Sequence, residues 1–456
     1  MDWFVALLIV APAAFLYLTG SSWLIDYLVW VTVLNRGIRR YVDWLNGAFN
    51  AFSPISLTPL VVSGFVFLMV LQNYRTLPGY LQRVIRLFTA ALAMGFAVGL
   101  VRNQLAAVYA LAEYVAPLSI MGCAAIAKGN ERILDRWIKS VGWAAVTVSL
   151  YGWYQYYTIP PWDAFWVRAV GFEGYLGQLK PTQMVVFSTM SERGPLAGFL
   201  GFAVIPMIIS KRWRNATGWI SVIIIIATIL LTFVRTTVIT IGLATILFPV
   251  LNRGKNTIQI ILILCVGAVA GIYILNKTPS SGKVGKRLQT IGSITEDGSF
   301  KGRIQIANYG AGALLKNPLG TGLGSTGLAG RVNTGVLEAG AAIGDNGYFE
   351  ILFAFGLLGG GFFFYALYLI WKQVRIFEKL GIRSETLMMF KALFVTGAVT
   401  LFAGNWLSGP GSVVFCVFAG FAAYPKPAMD RIVQAMADKR RRKQAPPEGS
   451  ILQQNS

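Results

Sequence analysis

No histidine occurs anywhere in the 456 residues. That absence removes the commonest general base and the commonest transition-metal ligand together, so proton transfer must fall to Asp, Glu, Lys, Tyr or Cys. Cysteine is scarce. Cys123, Cys265 and Cys416 each lie in an apolar stretch, far apart and without CxxC spacing, which signals neither a disulfide framework nor a zinc site; no metal and no cofactor is expected. Charge is also sparse, at 13% of residues, about half the level of a soluble globular chain. Acidic residues are the rarer sign, 19 against 40 Lys and Arg.

What is present is apolar: 55% of the residues are hydrophobic. They gather into runs long enough to cross roughly 30 Å of hydrocarbon, which takes about 20 residues each. Hydropathy marks spans at about 55 to 72, 84 to 101, 104 to 127, 137 to 157, 195 to 210, 215 to 231, 236 to 251, 257 to 275, 346 to 371, 387 to 406 and 411 to 424. A further span covers Asp2 to Gly20, which has no positive flank and no cleavage site, and is read as retained instead of cleaved. The expectation is an all-α integral membrane protein of about 12 transmembrane helices, with residues 1–424 as one polytopic domain and 425–456 as a basic, disordered cytoplasmic tail. Trp23 to Leu34 is short for a crossing and reads as re-entrant or interfacial.

The basic excess falls mainly in short loops. Lys211, Arg212 and Arg214, Arg253 and Lys255, Lys372 to Arg383, and the run Lys439 to Lys443 share one side if crossings alternate, and that side is cytoplasmic by the positive-inside rule. Nucleic acid is therefore not an expected partner; membrane lipid is. Arg36, Arg39 and Arg40 break the pattern by falling on the outer side, which leaves two readings: a miscounted helix that returns them to the cytoplasm, or an outward task.

Two long loops face outward, 158–194 and 276–345. Loops of that length are functional or disordered, and their aromatic and apolar content argues against disorder. The larger carries eight basic residues, Lys277, Lys283, Lys286, Arg287, Lys301, Arg303, Lys316 and Arg331, on the side where few are expected. Within it Ile304, Ala307, Ala311 and Leu314 or Leu315 recur at helical spacing between Asp297-Gly298 and Asn317-Pro318, which predicts an amphipathic helix at the membrane surface.

Several side chains at the outer interface carry candidate chemistry. Arg235 opens a span and either snorkels to the interface or grips a pair of phosphate oxygens. Glu192 and Arg193 stand before Gly194-Pro195, where a helix start offers free N–H groups to an anion or the two charges simply pair. Asp345, in Asp345-Asn346-Gly347-Tyr348, is either the cap of the next helix or a base for a sugar hydroxyl, with Asn346 and Tyr348 beside it as substrate contacts. Glu350 is its partner or a buried structural acid. The glycine-rich Gly320–Gly327 lacks the strand, helix and lysine of a nucleotide loop and is read as a compact, flexible turn near the substrate.

Taken in order, Val186-Phe187-Ser188-Thr189-Met190 to Gly194-Pro195, Arg235, Gly302-Arg303-Ile304, Asn317-Pro318-Leu319-Gly320-Thr321-Gly322 and Asp345-Asn346-Gly347-Tyr348 to Gly356-Leu357-Leu358-Gly359 resemble the O-antigen ligase and polymerase superfamily, in particular its exopolysaccharide repeat-unit polymerases. The resemblance implies a metal-independent, inverting glycosyltransferase in a bacterial inner membrane, with an undecaprenyl-diphosphate-linked oligosaccharide as donor. It implies that Arg235 and Arg303, with Arg193, hold the diphosphate, that Asp345 activates the acceptor, and that a flippase and a chain-length regulator are partners. In the ligase branch a histidine stands where this chain has Asp345. A ligase, or a flippase or transporter of a lipid-linked saccharide, is the alternative.

Overall fold

Among the described residues the long apolar runs, rich in Ala, Leu and Val, form helices, because a helix satisfies its backbone N–H and C=O groups within one segment and needs no neighbour to do it. The computed structural model describes residues 1–173, 175–252, 310–326 and 346–425. In chain order the helices are α1 (Asp2–Leu18), α2 (Trp23–Leu45), α3 (Thr58–Gln72), α4 (Gly79–Asn103), α5 (Leu105–Ile126), α6 (Glu131–Thr158), α7 (Pro161–Ala169), α8 (Arg193–Ile209), α9 (Trp219–Leu231), α10 (Arg235–Asn252), α11 (Gly347–Lys379), α12 (Glu385–Thr400) and α13 (Val413–Ala423). Among the described residues there is no strand, only one isolated bridge between Gly177 and Met184. Among the described residues, five helical stretches are long and apolar enough to cross a membrane: Pro54–Gln72, α4, α5, α11 and Glu385–Ala403. The 257–275 span, Arg303, Asp345, most of the larger loop and the basic tail lie outside the described residues.

The bundle has two ends. At one end Arg136, near the start of α6, pairs with Asp26 near the start of α2 at 3.1 Å and donates to the Ser22 carbonyl. At the other, the Asp2 carboxylate accepts from Asn46 and Asn50, just past the end of α2. α2 is thus one continuous helix of 23 residues, which at 1.5 Å per residue spans about 34 Å. The reading of Trp23 to Leu34 as a short re-entrant segment is corrected. Hydropathy truncates α2 because one stripe of it is polar: Asp26, Thr32, Asn35, Arg40 and Asp43 are all buried within the bundle. Its helix is miscounted, yet Arg36, Arg39 and Arg40 stay at the end that carries α7 and the start of α8, the end of the 158–194 loop.

α4 and α11 pack closely, and the glycine-rich segment is wedged between them. Gly356 breaks α11 with φ +72°, freeing backbone groups that the segment takes up: Thr321 N–H donates to the Phe353 carbonyl at 2.8 Å, and Leu357 N–H to the Pro318 carbonyl at 2.8 Å. Gly320, Gly322 and Gly324 all have positive φ, and a Cβ on Gly322 would lie 2.3 Å from the Gly99 nitrogen. Arg102 and Asn103, at the end of α4, donate to the carbonyls of Gly320, Thr321 and Leu323. The expected flexible turn is instead a backbone-to-backbone wedge held from both sides. Residues 310–316 just before it are helical. Leu314 is buried on Phe353 while Ala311 and Leu315 are exposed; Ile304 and Ala307, the rest of the expected amphipathic face, lie outside the described residues.

Candidate functional site

The arginine-bearing end of the bundle holds a cavity of about 140 Å³. Two helical stripes face each other across it. α2 contributes Thr32, Asn35, Arg36, Arg39 and Arg40, and α5 contributes Tyr109, Ala112, Glu113 and Ala116; both sets follow the i, i+3, i+4, i+7 spacing of a single helix face. Small alanines on the α5 stripe leave the gap open. Trp166 of α7, Met190 and Ser191 before α8, and Gly409-Pro410 before α13 close its sides.

Arg40 organises this end. It is 1% exposed, and each nitrogen of its fork is engaged: Nε with Asp163 at 3.1 Å, one Nη with the Met190 carbonyl at 2.9 Å and the other with the Ser188 carbonyl. Its cationic face lies over the rings of Phe187 and Trp166 at 4.8 and 5.5 Å. Asp163 in turn accepts from Gln155 at 2.6 Å and from Tyr151 at 2.8 Å. Burial pushes its carboxyl upward from the ordinary aspartate value, opposed by the Arg40 guanidinium and the bonds from Gln155 and Tyr151. The Gln155 Oε1 accepts from the backbone N–H groups of Phe187 and Ser188, and the Thr189 hydroxyl donates to the Val33 carbonyl. Ser188 is held at φ +51°, a conformation that costs an L residue about 1 kcal/mol or more and persists only where its surroundings fix it. The Val186–Met190 stretch is therefore strapped onto α2, which delivers Ser191 to the cavity wall, with Glu192 and Arg193 next in the chain.

Arg36 and Arg39 face the cavity more openly. Arg39 reaches Asp43 at 3.4 Å, the Ser56 hydroxyl at 3.1 Å and the Asn50 carbonyl. Arg36 pairs with Glu113, with side-chain exposures of 25% and 38%. These groups escaped the sequence reading as a site because their partners are distant in the chain, 77 positions for Arg36 and Glu113. The available signal was the polar stripe on α2 together with the charge exception at Arg36, Arg39 and Arg40.

Of the candidates named from sequence, Glu192 occupies the N-cap position of α8 and Arg193 its first residue, with the Arg193 guanidinium 5.0 Å from the Tyr175 ring centre. Arg235 is the first residue of α10 and half-buried. α10 lies against α8 and α12, with Thr237 against Gly201. Asn346, not Asp345, caps α11: its side-chain oxygen accepts from the N–H groups of Tyr348 and Phe349 at 3.1 and 3.4 Å. The Tyr348 hydroxyl donates to the Ala398 carbonyl at 2.6 Å. Both side chains are thereby engaged in seating the helix. Glu350 is half-buried in the first turn.

The start of α11 is tied to the cavity through one short segment. Gly347 packs against the Gly404 carbonyl and Asn405; Asn405 donates to the Tyr114 hydroxyl at 2.8 Å; Tyr114 follows Glu113; and Gly409-Pro410 lines the cavity. The chain emerging before Asn346 and the strap before α8 thus reach the same end of the bundle. Arginines, a carboxylate, neutral donors and aromatic rings at such a place suit a substrate with a polar head and hydroxyl groups. No curated protein matches the chain. Residues 220–364, about a third of the chain and running from α9 into α11, match the family model described as O-antigen ligase, a match that supports the O-antigen ligase and polymerase superfamily.

Proposed function

We propose that the chain is a glycosyltransferase that joins undecaprenyl-diphosphate-linked oligosaccharide repeat units into a polysaccharide at the periplasmic face of a bacterial inner membrane. The observation that carries the reading is the O-antigen ligase match over residues 220–364, a family that acts on lipid-linked saccharides in membranes. The starts of α8 and α11, with Arg193 and Asn346, lie at the cavity end, in keeping with it.

In this reading an acceptor hydroxyl attacks the anomeric carbon of the donor sugar in one displacement. The new C–O bond forms as the bond to the diphosphate breaks, the hydroxyl proton passes to Asp345, and the lipid diphosphate leaves with its charge held by Arg235 and Arg303, assisted by Arg193. Arginine forks can supply this stabilisation without a metal ion, and electrostatic stabilisation of developing charge is often the largest catalytic contribution. Asp345 must come within about 3 Å of the acceptor oxygen. A flippase that delivers the donor and a regulator of chain length are the partners this role requires.

Reconstitution of the full chain with purified lipid-linked repeat units tests the proposal. The expected product is a ladder of lengthening chains, lost in Asp345→Ala and cut at least about a hundredfold in Arg303→Ala and Arg235→Ala. Single transfer to a non-growing acceptor would identify a ligase instead, translocation without bond formation a transporter, and an unchanged ladder in all three variants would overturn the site assignment.

A further inference from the structure

We propose that the cavity between α2 and α5 is a seat for a neutral pyranose, with adjacent sugar hydroxyls shared between Arg36 and Glu113. The cavity is roughly ten times the minimum that holds one water, and it lies outside the segment matched to the O-antigen ligase family.

The argument is one of charge and satisfaction. Three arginines line the cavity, which at first suggests an anion. Each, however, faces a carboxylate: Arg39 has Asp43, Arg40 has Asp163 and Arg36 has Glu113. An anion entering beside Arg36 would meet Glu113 at the same place. Of the five N–H donors of a guanidinium, Arg36 uses its Nη2 toward Glu113 and makes no other bond to the described residues. The Glu113 carboxylate likewise has acceptor capacity left over. The side chains of Asn35 and Ser191, which also line the cavity, form no hydrogen bond to the described residues. Donor and acceptor side by side, both open to the cavity, match a pair of hydroxyls, each of which gives one hydrogen bond and takes another. They do not match a phosphate, which only accepts at that charge. Tyr109, Phe52 and Trp166 also line the cavity and give it the apolar aromatic surface that the C–H groups of a pyranose pack against.

The role of the sugar rests on the glycosyl-transfer reading, as the hydroxyl-bearing part of a substrate and not its diphosphate; the binding does not, so the two are measured separately. Binding is read by saturation-transfer NMR on the full chain in detergent micelles, with methyl glucoside, galactoside and mannoside as neutral probes and inorganic phosphate and glucuronate as anionic ones, phosphate through 31P line broadening. At least one neutral pyranoside should receive transfer to its ring protons. Its affinity should fall about tenfold or more in Arg36→Ala and Glu113→Ala, the loss expected for one charge-assisted hydrogen bond. Ala112→Leu keeps the ion pair and fills the gap, so it should abolish the transfer on steric grounds alone. Leu315→Ala, at an exposed position remote from the cavity wall, should leave it unchanged. Binding of the anionic probes in preference to all three neutral ones, or neutral binding indifferent to Ala112→Leu, would overturn the proposal. If pyranoside binding follows this pattern while the wild-type chain forms no glycosidic bond, the seat stands and the glycosyl-transfer reading falls.

Discussion

Arg40 and Asp163 illustrate what a buried ion pair is for in this molecule. Replacing such a pair by apolar residues is often nearly neutral, whereas removing one partner strands a charge and costs about 3 to 5 kcal/mol. Asp163→Asn keeps the shape and much of the hydrogen bonding with Gln155 and Tyr151 but leaves the Arg40 cation uncompensated at 1% exposure. Thermal unfolding in detergent should therefore show a loss of at least about 3 kcal/mol. The double variant Arg40→Leu, Asp163→Leu should recover part of that stability, while releasing the Ser188 and Met190 carbonyls and with them the strap that leads into Arg193. A single substitution as mild as the double would mean that the pair is not the fastener described. The Arg40–Asp163 and Arg36–Glu113 pairings were not legible in the sequence; the i,i+4 spacing of Arg39 and Asp43 was. A hydropathy profile registers that Arg36, Arg39 and Arg40 are present where few cations belong; it has no means of seeing that Glu113 and Asp163 neutralise two of them, because the bundle brings those acids in from α5 and α7. Asp43 sits one turn from Arg39 on α2 itself.

Among the helices, legibility followed exposure to the apolar surroundings. The expected spans 104 to 127 and 55 to 72 correspond closely to α5 (Leu105–Ile126) and α3 (Thr58–Gln72), because their apolar residues run nearly unbroken. The expected span 137 to 157 falls short of α6 (Glu131–Thr158) at its start, where Glu131, Arg132, Asp135 and Arg136 carry the helix out of the apolar region. α2 was cut short since its buried face is polar. The kink in α11 was hidden as well: Gly356 lies in a Gly-rich run, and only the fit of Gly320, Gly322 and Gly324 against Gly99, Ala106 and Phe353 explains why so many glycines are required. Gly322→Ala puts a methyl group at φ +83° and within 2.3 Å of the Gly99 backbone nitrogen. Strain of that kind costs about 1 to 3 kcal/mol before the contact is relieved. Gly361→Ala, in the same α11 with open space at its Cβ, should instead be neutral or stabilising by up to about 1 kcal/mol, the helix propensity gain. Melting of the two variants side by side separates a wedge from a flexible turn: similar stability in both would return the segment to the flexible class.

At the scale of the whole molecule, α2 decides how the chain is threaded. Asp2 and the end of α2 share one end of the bundle, while Ser22 sits at the other beside Arg136. The positive-inside bias acts through lysines and arginines in short flanking loops. Arg36, Arg39 and Arg40 lie within a helix and each carries its own carboxylate, so the periplasmic placement that the proposed function gives them opposes the bias only weakly. If the cavity end is periplasmic, as the proposed function has it, and α2 crosses, the parity expected from residue 55 onward is kept and Asp2 lies on the periplasmic side. Single cysteines placed at Phe52 and Gln178, both exposed at the cavity end, and at Ser22, exposed at the opposite end, test this in a background lacking Cys265. Cys123 and Cys416 are buried and stay silent toward a membrane-impermeant maleimide. With the outer membrane permeabilised and the inner one intact, Phe52→Cys and Gln178→Cys should label and Ser22→Cys should not, until the inner membrane is opened. Labelling of Ser22→Cys together with Phe52→Cys would show that α2 does not cross, and would return the three arginines to the question the sequence first posed about them.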